Sequence, residues 1–434
     1  VRGLTAQPFD ARLDRTLGQP LAVAFSGGGD SLAALVLATR WAKACGRRVL
    51  ALHIDHGLQP ASPAWAAFAA EVAARLGADF RLLAWRGDKP ARGLAAAARR
   101  ARHSLIATAA REAGASVVVF GHTADDLAEA ALMRAEGSSL GALGAWRPSP
   151  VWPEGRGIML FRPLLQTRRA AIRATLTAEG FSWIDDPANQ DLAQPRARAR
   201  AALGPACCAP PPAAEDAAAS DLARAAMIDA WGAIGLDRQA LANAPHASAR
   251  KVLGAALLCT GGRERPPRRG SLEAIRARLS APGDVTATLA GAKLVALGAS
   301  VLATRDAGEA VRGGLQPLAL APGSAGVWDG RFELVSRRSG AVVSTLRGQA
   351  GRLDAAERLA LRQAPAAARA ALPIVIAADG RPTCPILAGR AGVEARSLAG
   401  NRFLAACGAI VTEPAAPGAV TIRARGETAS GALS

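Results

Sequence analysis

Residues 21–32 read Leu21-Ala22-Val23-Ala24-Phe25-Ser26-Gly27-Gly28-Gly29-Asp30-Ser31-Leu32, and the fold turns on them. Leu21 to Phe25 is an apolar run of the length of a buried strand. Three glycines follow, suited to a turn or to close backbone approach without a Cβ penalty. Asp30 and Ser31 are good helix N-cap types, and the apolar residues from Leu32 to Leu37 open a helix. A strand, a glycine turn and a helix start together predict an anion cradle. Loop N–H groups point inward and the helix dipole favours negative charge.

The pattern narrows the anion. A Walker loop needs Gly-Lys-Ser/Thr, and no lysine stands here. A dinucleotide fingerprint needs a third spaced glycine that is missing. Ala24-Phe25-Ser26-Gly27-Gly28 comes within one residue of a nucleophile elbow, which would make Ser26 a hydrolase nucleophile. That reading needs a late histidine, and after His122 the chain has only His246, with no catalytic context. What remains, Ser-Gly-Gly-x-Asp-Ser over Ser26 to Ser31, resembles the pyrophosphate (PP) loop of the N-type ATP pyrophosphatases.

At 434 residues the chain predicts two or three domains. With 50% hydrophobic and 20% charged residues it can bury a sizeable core. A formal charge of +18 suits a polyanionic partner, nucleic acid first. A composition bias toward Arg and Ala is the bland alternative. Six scattered cysteines, with no Cys-x-x-Cys spacing and no signal-peptide pattern, fit a reducing cytoplasm and no structural metal. No apolar run approaches the ~20 residues of a membrane span. Aromatics are 4% of residues, so stacking platforms for bases are not expected.

Strands and helices alternate from Leu21 to Ile184, which implies a parallel sheet with helices on both faces. Val49 to Leu58 reads as a strand ending in His53, Asp55 and His56, and strand carboxyl ends are where such sheets bind ligands. On the helix Leu94 to Ile106, Arg99, Arg102 and His103 share a face, either a solvated basic face or an anion fork. Ser116 to Phe120 is a buried strand, followed by Gly121-His122-Thr123-Ala124-Asp125-Asp126-Leu127-Ala128-Glu129. Asp126 and Glu129 suit Mg2+ or an amine, or simply a helix N-terminus. Thr167 caps a helix from Arg168 to Glu179, and Phe181 to Ile184 reads as the last strand of the sheet. Arg196, Arg198 and Arg200 form a basic stripe. The expected division is 1–205 catalytic, 206–219 linker, 220–311 helical and hairpin, and 312–434 a small α+β domain, with a frayed tail from Gly426.

Taken together, the blocks resemble the tRNA(Ile)-lysidine synthetases, a PP-loop family with an adenine nucleotide α-hydrolase-like fold. Ser26–Ser31, His53–Leu58, Ala98–His103, Gly121–Glu129, Arg162-Pro163-Leu164-Leu165 and Asp186-Pro187-Ala188-Asn189 with Arg196–Arg200 stand in the family's order. Leu289-Ala290-Gly291 and Val327-Trp328-Asp329-Gly330 are weaker echoes of its longer form. Departures from the family pattern stand at Gln59, Ala95, His103, Leu127, Ala130 and Pro195.

The resemblance implies ligation of L-lysine to C2 of the wobble cytidine of a CAU-anticodon tRNA(Ile), through an adenylated cytidine, with ATP and Mg2+. It implies Ser26, Gly27, Gly28, Gly29, Asp30 and Ser31 on the ATP phosphates, with Asp30 at Mg2+, and His53 and Asp55 along the adenosine crevice. Arg99 and Arg102 would neutralise phosphate or the lysine carboxylate, and Asp126 and Glu129 would receive and deprotonate the lysine ammonium. Arg196, Arg198 and Arg200 would grip tRNA phosphates together with the basic C-terminal domains, 312–434 being the expected C-terminal tRNA-binding domain. Oligomeric state is not legible. The alternatives are another PP-loop tRNA-modifying enzyme, such as a 2-thiolation enzyme, or a non-catalytic RNA-binding protein with a worn ATP loop. The first would ordinarily carry paired reactive cysteines. A glutamine-dependent synthetase would need an ammonia-releasing Cys-His domain, and none follows.

Overall fold

The computed structural model describes residues 5, 7–138, 141–187, 191–203, 210–211, 214–378, 380–389 and 392–415. Ala188, Asn189, Cys207, Cys208 and the tail from Gly426 lie outside the described residues. The chain divides into two compact units. One comprises residues up to Glu215 together with a return segment from Ile410, and the other runs from Asp216 to Ala409.

The first unit holds a six-stranded sheet of β1 (Leu21–Ala24), β2 (Val49–Asp55), β3 (Asp79–Ala84), β4 (Val117–Phe120), β5 (Trp146–Pro148) and β6 (Met159–Phe161). The strand order is β3-β2-β1-β4-β6-β5. Every pairing is parallel except that of β5 with β6, an antiparallel edge the alternation of elements does not reveal. Its helices are α1 (Gln7–Asp10), α2 (Gly29–Lys43), α3 (Ser62–Arg75), α4 (Leu94–Glu112), α5 (Ala124–Ala135), α6 (Arg169–Ala178) and α7 (Pro195–Ala202).

Both faces of the central strands are apolar, as a covered parallel sheet requires. Ala22, Leu52, Val118, Phe120 and Leu160 share a cluster with Ile106, Ala107 and Ala110 of α4. Leu32, Leu35, Val36 and Trp41 of α2 are also buried. The chain order reverses at β1: β2 and β3 lie to one side, β4 and β6 to the other. Such a switch point opens a crevice at the strand carboxyl ends. The segments after β1, β2 and β4 all begin there, because these strands run parallel.

Several local expectations take a different form. α2 begins at Gly29 with Gly28 as its N-cap, so Asp30 and Ser31 lie inside the first turn rather than capping it. Ser31 instead closes the loop: its Oγ donates to the Gly28 carbonyl at 2.8 Å and accepts the Ser26 N–H at 3.2 Å. Phe181 to Ile184 is not a strand. It lies against the glycine loop, where the Ile184 N–H donates to the Gly27 carbonyl at 3.0 Å. α6 starts at Arg169 with no side-chain cap from its own N-cap residue.

The second unit contains two cores. In one, helices Ala217–Arg224, His246–Thr260, Arg269–Ser280 and Ala399–Cys407 pack on a five-stranded antiparallel sheet. Within that sheet Val285–Leu289 pairs with Ala292–Leu297 as a hairpin across Ala290 and Gly291, both at positive φ. The other core lies between a four-stranded and a three-stranded antiparallel sheet. Leu318–Ala319, Val342–Thr345, Pro373–Ile376 and Pro382–Thr383 form the first, and Ala325–Trp328, Phe332–Ser336 and Val393–Ser397 the second. No helix among the described residues is long and apolar enough to cross a membrane.

Candidate active site

The glycine loop leaves β1 and turns into α2. Gly27 sits at φ 86°, a conformation few L-residues adopt. Asp30 projects from the first turn of α2. Its Oδ2 accepts Nε of Arg169 at 2.8 Å, while Oδ1 is buried without a partner. Burial raises the Asp30 pKa above the usual carboxylate value, against the pull of Arg169. Gly121, directly after β4, comes so close that a Cβ there would stand 2.3 Å from the Asp30 carbonyl oxygen. That contact fixes the distance between the glycine loop and the acidic block.

The acidic block begins α5. Asp126 uses Oδ2 to accept the Thr123 N–H at 2.6 Å, the helix-start role that its position permits. Its Oδ1 accepts from Arg169 at 3.3 Å and also pairs with Arg196. Glu129 lies one turn on, with its side chain 2% exposed. It accepts Arg169 Nη1 at 3.2 Å, Arg196 Nε at 2.8 Å and Arg200 Nε at 2.8 Å. Burial pushes the Glu129 carboxyl upward, but the bonds from Arg200 and Arg196 prevail and hold it below its usual value. Asp125 takes the α6 backbone: its Oδ2 accepts the Arg169 N–H at 2.7 Å.

Arg169 therefore joins three carboxylates, Asp30, Asp126 and Glu129, and is the site residue that the sequence blocks do not name. One signal could have found it. A cation in the first turn of a helix opposes the helix dipole, so a compensating group is expected nearby. Here that group is the acidic block.

Of the anticipated basic stripe, Arg196 and Arg200 direct their guanidinium groups to Glu129. Arg198, exposed on the other side of α7, donates to the Leu192 and Ala193 carbonyls at 3.0 and 2.9 Å. Arg99 and Arg102 stand on α4 in a different setting. Burial, then the nearby Arg99 and Arg196 charges, lower Arg102 to about 10, and its Nε is buried without a partner. His103, at the helix position next to Arg102, is driven down to about 3 by burial and by Arg102, Arg99 and Arg162. It stays neutral, with its ring 5.4 Å from that of Phe120.

His53 is buried at the end of β2, its Nδ1 3.0 Å from the Phe25 carbonyl. Asp55 accepts the Gly57 N–H at 2.8 Å, stabilising the turn after β2. Among the described residues, no group of three or more His, Cys, Asp or Glu side chains could hold a metal ion. Mg2+ commonly binds one or two carboxylates together with substrate phosphates. The unpartnered Oδ1 of Asp30 beside the glycine loop fits that requirement.

The PP-loop domain family matches residues 6–207. Over 93% of its length the chain is 49% identical to a tRNA(Ile)-lysidine synthase of Caulobacter vibrioides, covering 97% of that protein. It is 37% identical to one of Methylobacterium nodulans, over 69% of this chain and 96% of that protein. A third, from Mesorhizobium japonicum, is 36% identical over 88% of each chain.

Proposed function

The chain belongs to the tRNA(Ile)-lysidine synthase family, and from that membership we propose how its site performs the reaction. It is an ATP-using enzyme that makes lysidine in tRNA(Ile). In our reading it acts as a carbon–nitrogen ligase in two steps. The wobble cytidine O2 attacks the ATP α-phosphorus, the bond to the bridging oxygen breaks, and pyrophosphate leaves. The ε-amine of free L-lysine then attacks C2 and the C2–O2 bond breaks. AMP departs with that oxygen, and the attacking nitrogen gives up its proton to solvent.

Adenylation is needed because cytidine O2 is a poor leaving group. The loop amides of Gly27, Gly28 and Gly29, with the Ser26 and Ser31 hydroxyls, bind the β- and γ-phosphates. Asp30, with its unpartnered carboxylate oxygen, would hold Mg2+, and the ion would supply charge neutralisation on the phosphate oxygens. Arg169 fixes the Asp30 carboxylate through Oδ2 and leaves Oδ1 without a hydrogen-bond partner. His53 and Asp55 border the adenosine crevice.

Asp126 and Glu129 receive the incoming lysine ammonium, and one of these carboxylates takes the proton whose loss frees the amine lone pair for attack. Because three guanidiniums already hold Glu129, the ammonium must take the place of one of them. Arg200, with 37% of its side chain exposed, is readily rehydrated once displaced. Arg198 and the strong positive charge of the chain serve tRNA phosphates. Together, these roles describe an enzyme of the cytoplasm.

The observation that carries this reading is the Asp30 carboxylate, directly after the three loop glycines: one oxygen is anchored by Arg169, the other is buried without a hydrogen-bond partner. The test is incorporation of labelled L-lysine into an unmodified CAU-anticodon tRNA(Ile) transcript with ATP and Mg2+. Incorporation that requires ATP and disappears in Asp30→Ala supports it. Its absence in folded wild-type protein that still binds the transcript refutes it.

A further inference from the structure

Arg196 has a second side. Besides meeting the acids, it lines a cavity of about 270 Å³ together with Arg99, Arg147, Arg162 and His122. No carboxylate lines this cavity. Among the described residues no ion pair joins Arg99 or Arg147 to an acid, in contrast to the neutralised network around Glu129. Arg162 Nη1 donates to the Gly144 carbonyl at 2.9 Å, and Nε donates to Nδ1 of His122 at 3.3 Å. An imidazole that accepts from a guanidinium is neutral, so it adds a polar wall and no counter-charge.

These groups repel one another. Burial, then the charges of Arg99 and Arg147, lower Arg162 to about 10, and burial with Arg196 lowers Arg99. Guanidiniums remain protonated through such shifts, so the cavity keeps its positive charge. A bound anion would relieve the repulsion.

Size and chemistry narrow the anion. The cavity is near the lower end of small-molecule sites, which begin at roughly 300 Å³, and it has room for more than a lone carboxylate. Met133 and Leu160 give it an apolar wall suited to a sugar or base face. An amino acid would bring its α-ammonium among four arginines, and the acids beyond Arg196, namely Asp126 and Glu129, are the ones assigned to the lysine ε-ammonium. The ATP phosphates already have the glycine loop. We propose that this cavity seats a phosphodiester of the substrate RNA adjoining the target nucleotide, with Arg147 as a phosphate ligand. The proposal rests on the lysidine synthase reading above.

Arg147 is the residue to test, because it is half-buried and anchors no carboxylate. The experiment measures the dissociation constant of the unmodified tRNA(Ile) transcript against salt concentration, without ATP or lysine, for wild type, Arg147→Gln and Arg147→Lys. KM values for ATP and lysine are measured in parallel. The expected result for Arg147→Gln is RNA binding weakened about tenfold, with the log–log salt slope reduced by about one. KM for ATP and for lysine stays unchanged, and Arg147→Lys restores the slope. Unchanged RNA affinity and slope would overturn the proposal. So would a raised lysine KM with unaltered RNA binding, which would assign the cavity to an amino-acid carboxylate. RNA binding is read in the absence of the reaction. Failure of wild-type lysine incorporation would therefore refute the proposed function while leaving this result legible.

Discussion

Arg169 donates Nε to Oδ2 of Asp30 at 2.8 Å, leaving Oδ1 of the same carboxylate buried and unpartnered. Burial raises the Asp30 pKa in spite of Arg169. The folded state therefore holds its proton to higher pH than the unfolded state, so stability falls as pH rises from the ordinary carboxylate value through the raised one, and the full cost is present above it. Asp30→Asn, which resembles the protonated form, is expected to melt at or above the wild-type temperature. Adenylation should nevertheless fall by roughly 100-fold or more, because the open anionic oxygen is gone. Thermal melting at pH 7 and ATP-dependent lysine incorporation check both halves. A marked loss of stability would show that the carboxylate is a structural partner of Arg169 first.

Gly121 lies where backbone meets backbone. A Cβ there would stand 2.3 Å from the Asp30 carbonyl oxygen and 2.8 Å from Ser31 Cα. Neither atom can rotate away, so Gly121→Ala must move the start of α2. The expected cost is about 1–3 kcal/mol, with a raised KM for ATP. Gly270→Ala is the control. It has nothing within 4 Å, lies in the first turn of the helix Arg269–Ser280, and should gain up to about 1 kcal/mol from helix propensity. Equal effects of the two substitutions in urea denaturation would sink the steric argument.

Glu129 receives three guanidiniums on a side chain 2% exposed. Glu129→Gln removes the negative charge and turns an amide N–H₂ toward an arginine. Arg196 and Arg200 are 43% and 37% exposed and can rehydrate, so the expected loss is about 3 kcal/mol, the low end for breaking a buried pair. Single-turnover kinetics then separate the roles. A slower second step with raised lysine KM supports reception of the ammonium. If both are untouched in the residual folded protein, Glu129 acts only by holding arginines.

The part of this site that follows a strand end was legible in the sequence. Ser26–Ser31 and Gly121–Glu129 are contiguous, and apolar runs ahead of them mark their strands. Residues whose roles depend on distant partners were not. Arg169 meets Asp30 across 139 positions, and nothing in the period of α6 distinguishes it from Arg168. Arg196 and Arg200 share a helix face with the stripe that suggested RNA phosphates, yet the acids that hold them lie about 70 positions earlier. The short run Phe181–Ile184 has strand composition. Its backbone instead covers the glycine loop, and Ile184 Cδ1 would stand 2.5 Å from a Cβ at Gly27. Tertiary packing overrode β propensity there.

The return segment is the longest-range feature of the first unit, and it makes a strong prediction. Arg47 and Glu413, 366 positions apart, form a bidentate pair at 2.7 and 2.8 Å, with side chains 1% and 0% exposed. The Glu413 N–H donates to the Arg12 carbonyl at 2.8 Å, and Trp146 Nε1 donates to the Ile410 carbonyl at 2.8 Å. Arg47 also donates to the Gln19 and Asp14 carbonyls, so its charge is fixed in place whether or not the acid is present. Glu413→Ala thus leaves a buried guanidinium without its counter-charge, at an expected cost of about 3–5 kcal/mol. Replacing both partners by apolar residues of similar size, Arg47→Met with Glu413→Leu, removes the stranded charge and should recover much of that loss. Urea denaturation of the three variants measures the coupling. If Glu413→Ala unfolds at the wild-type midpoint, the segment from Ile410 is not seated in the unit in solution. If the double variant is as weak as the single one, the loss comes from packing rather than from the charge left behind.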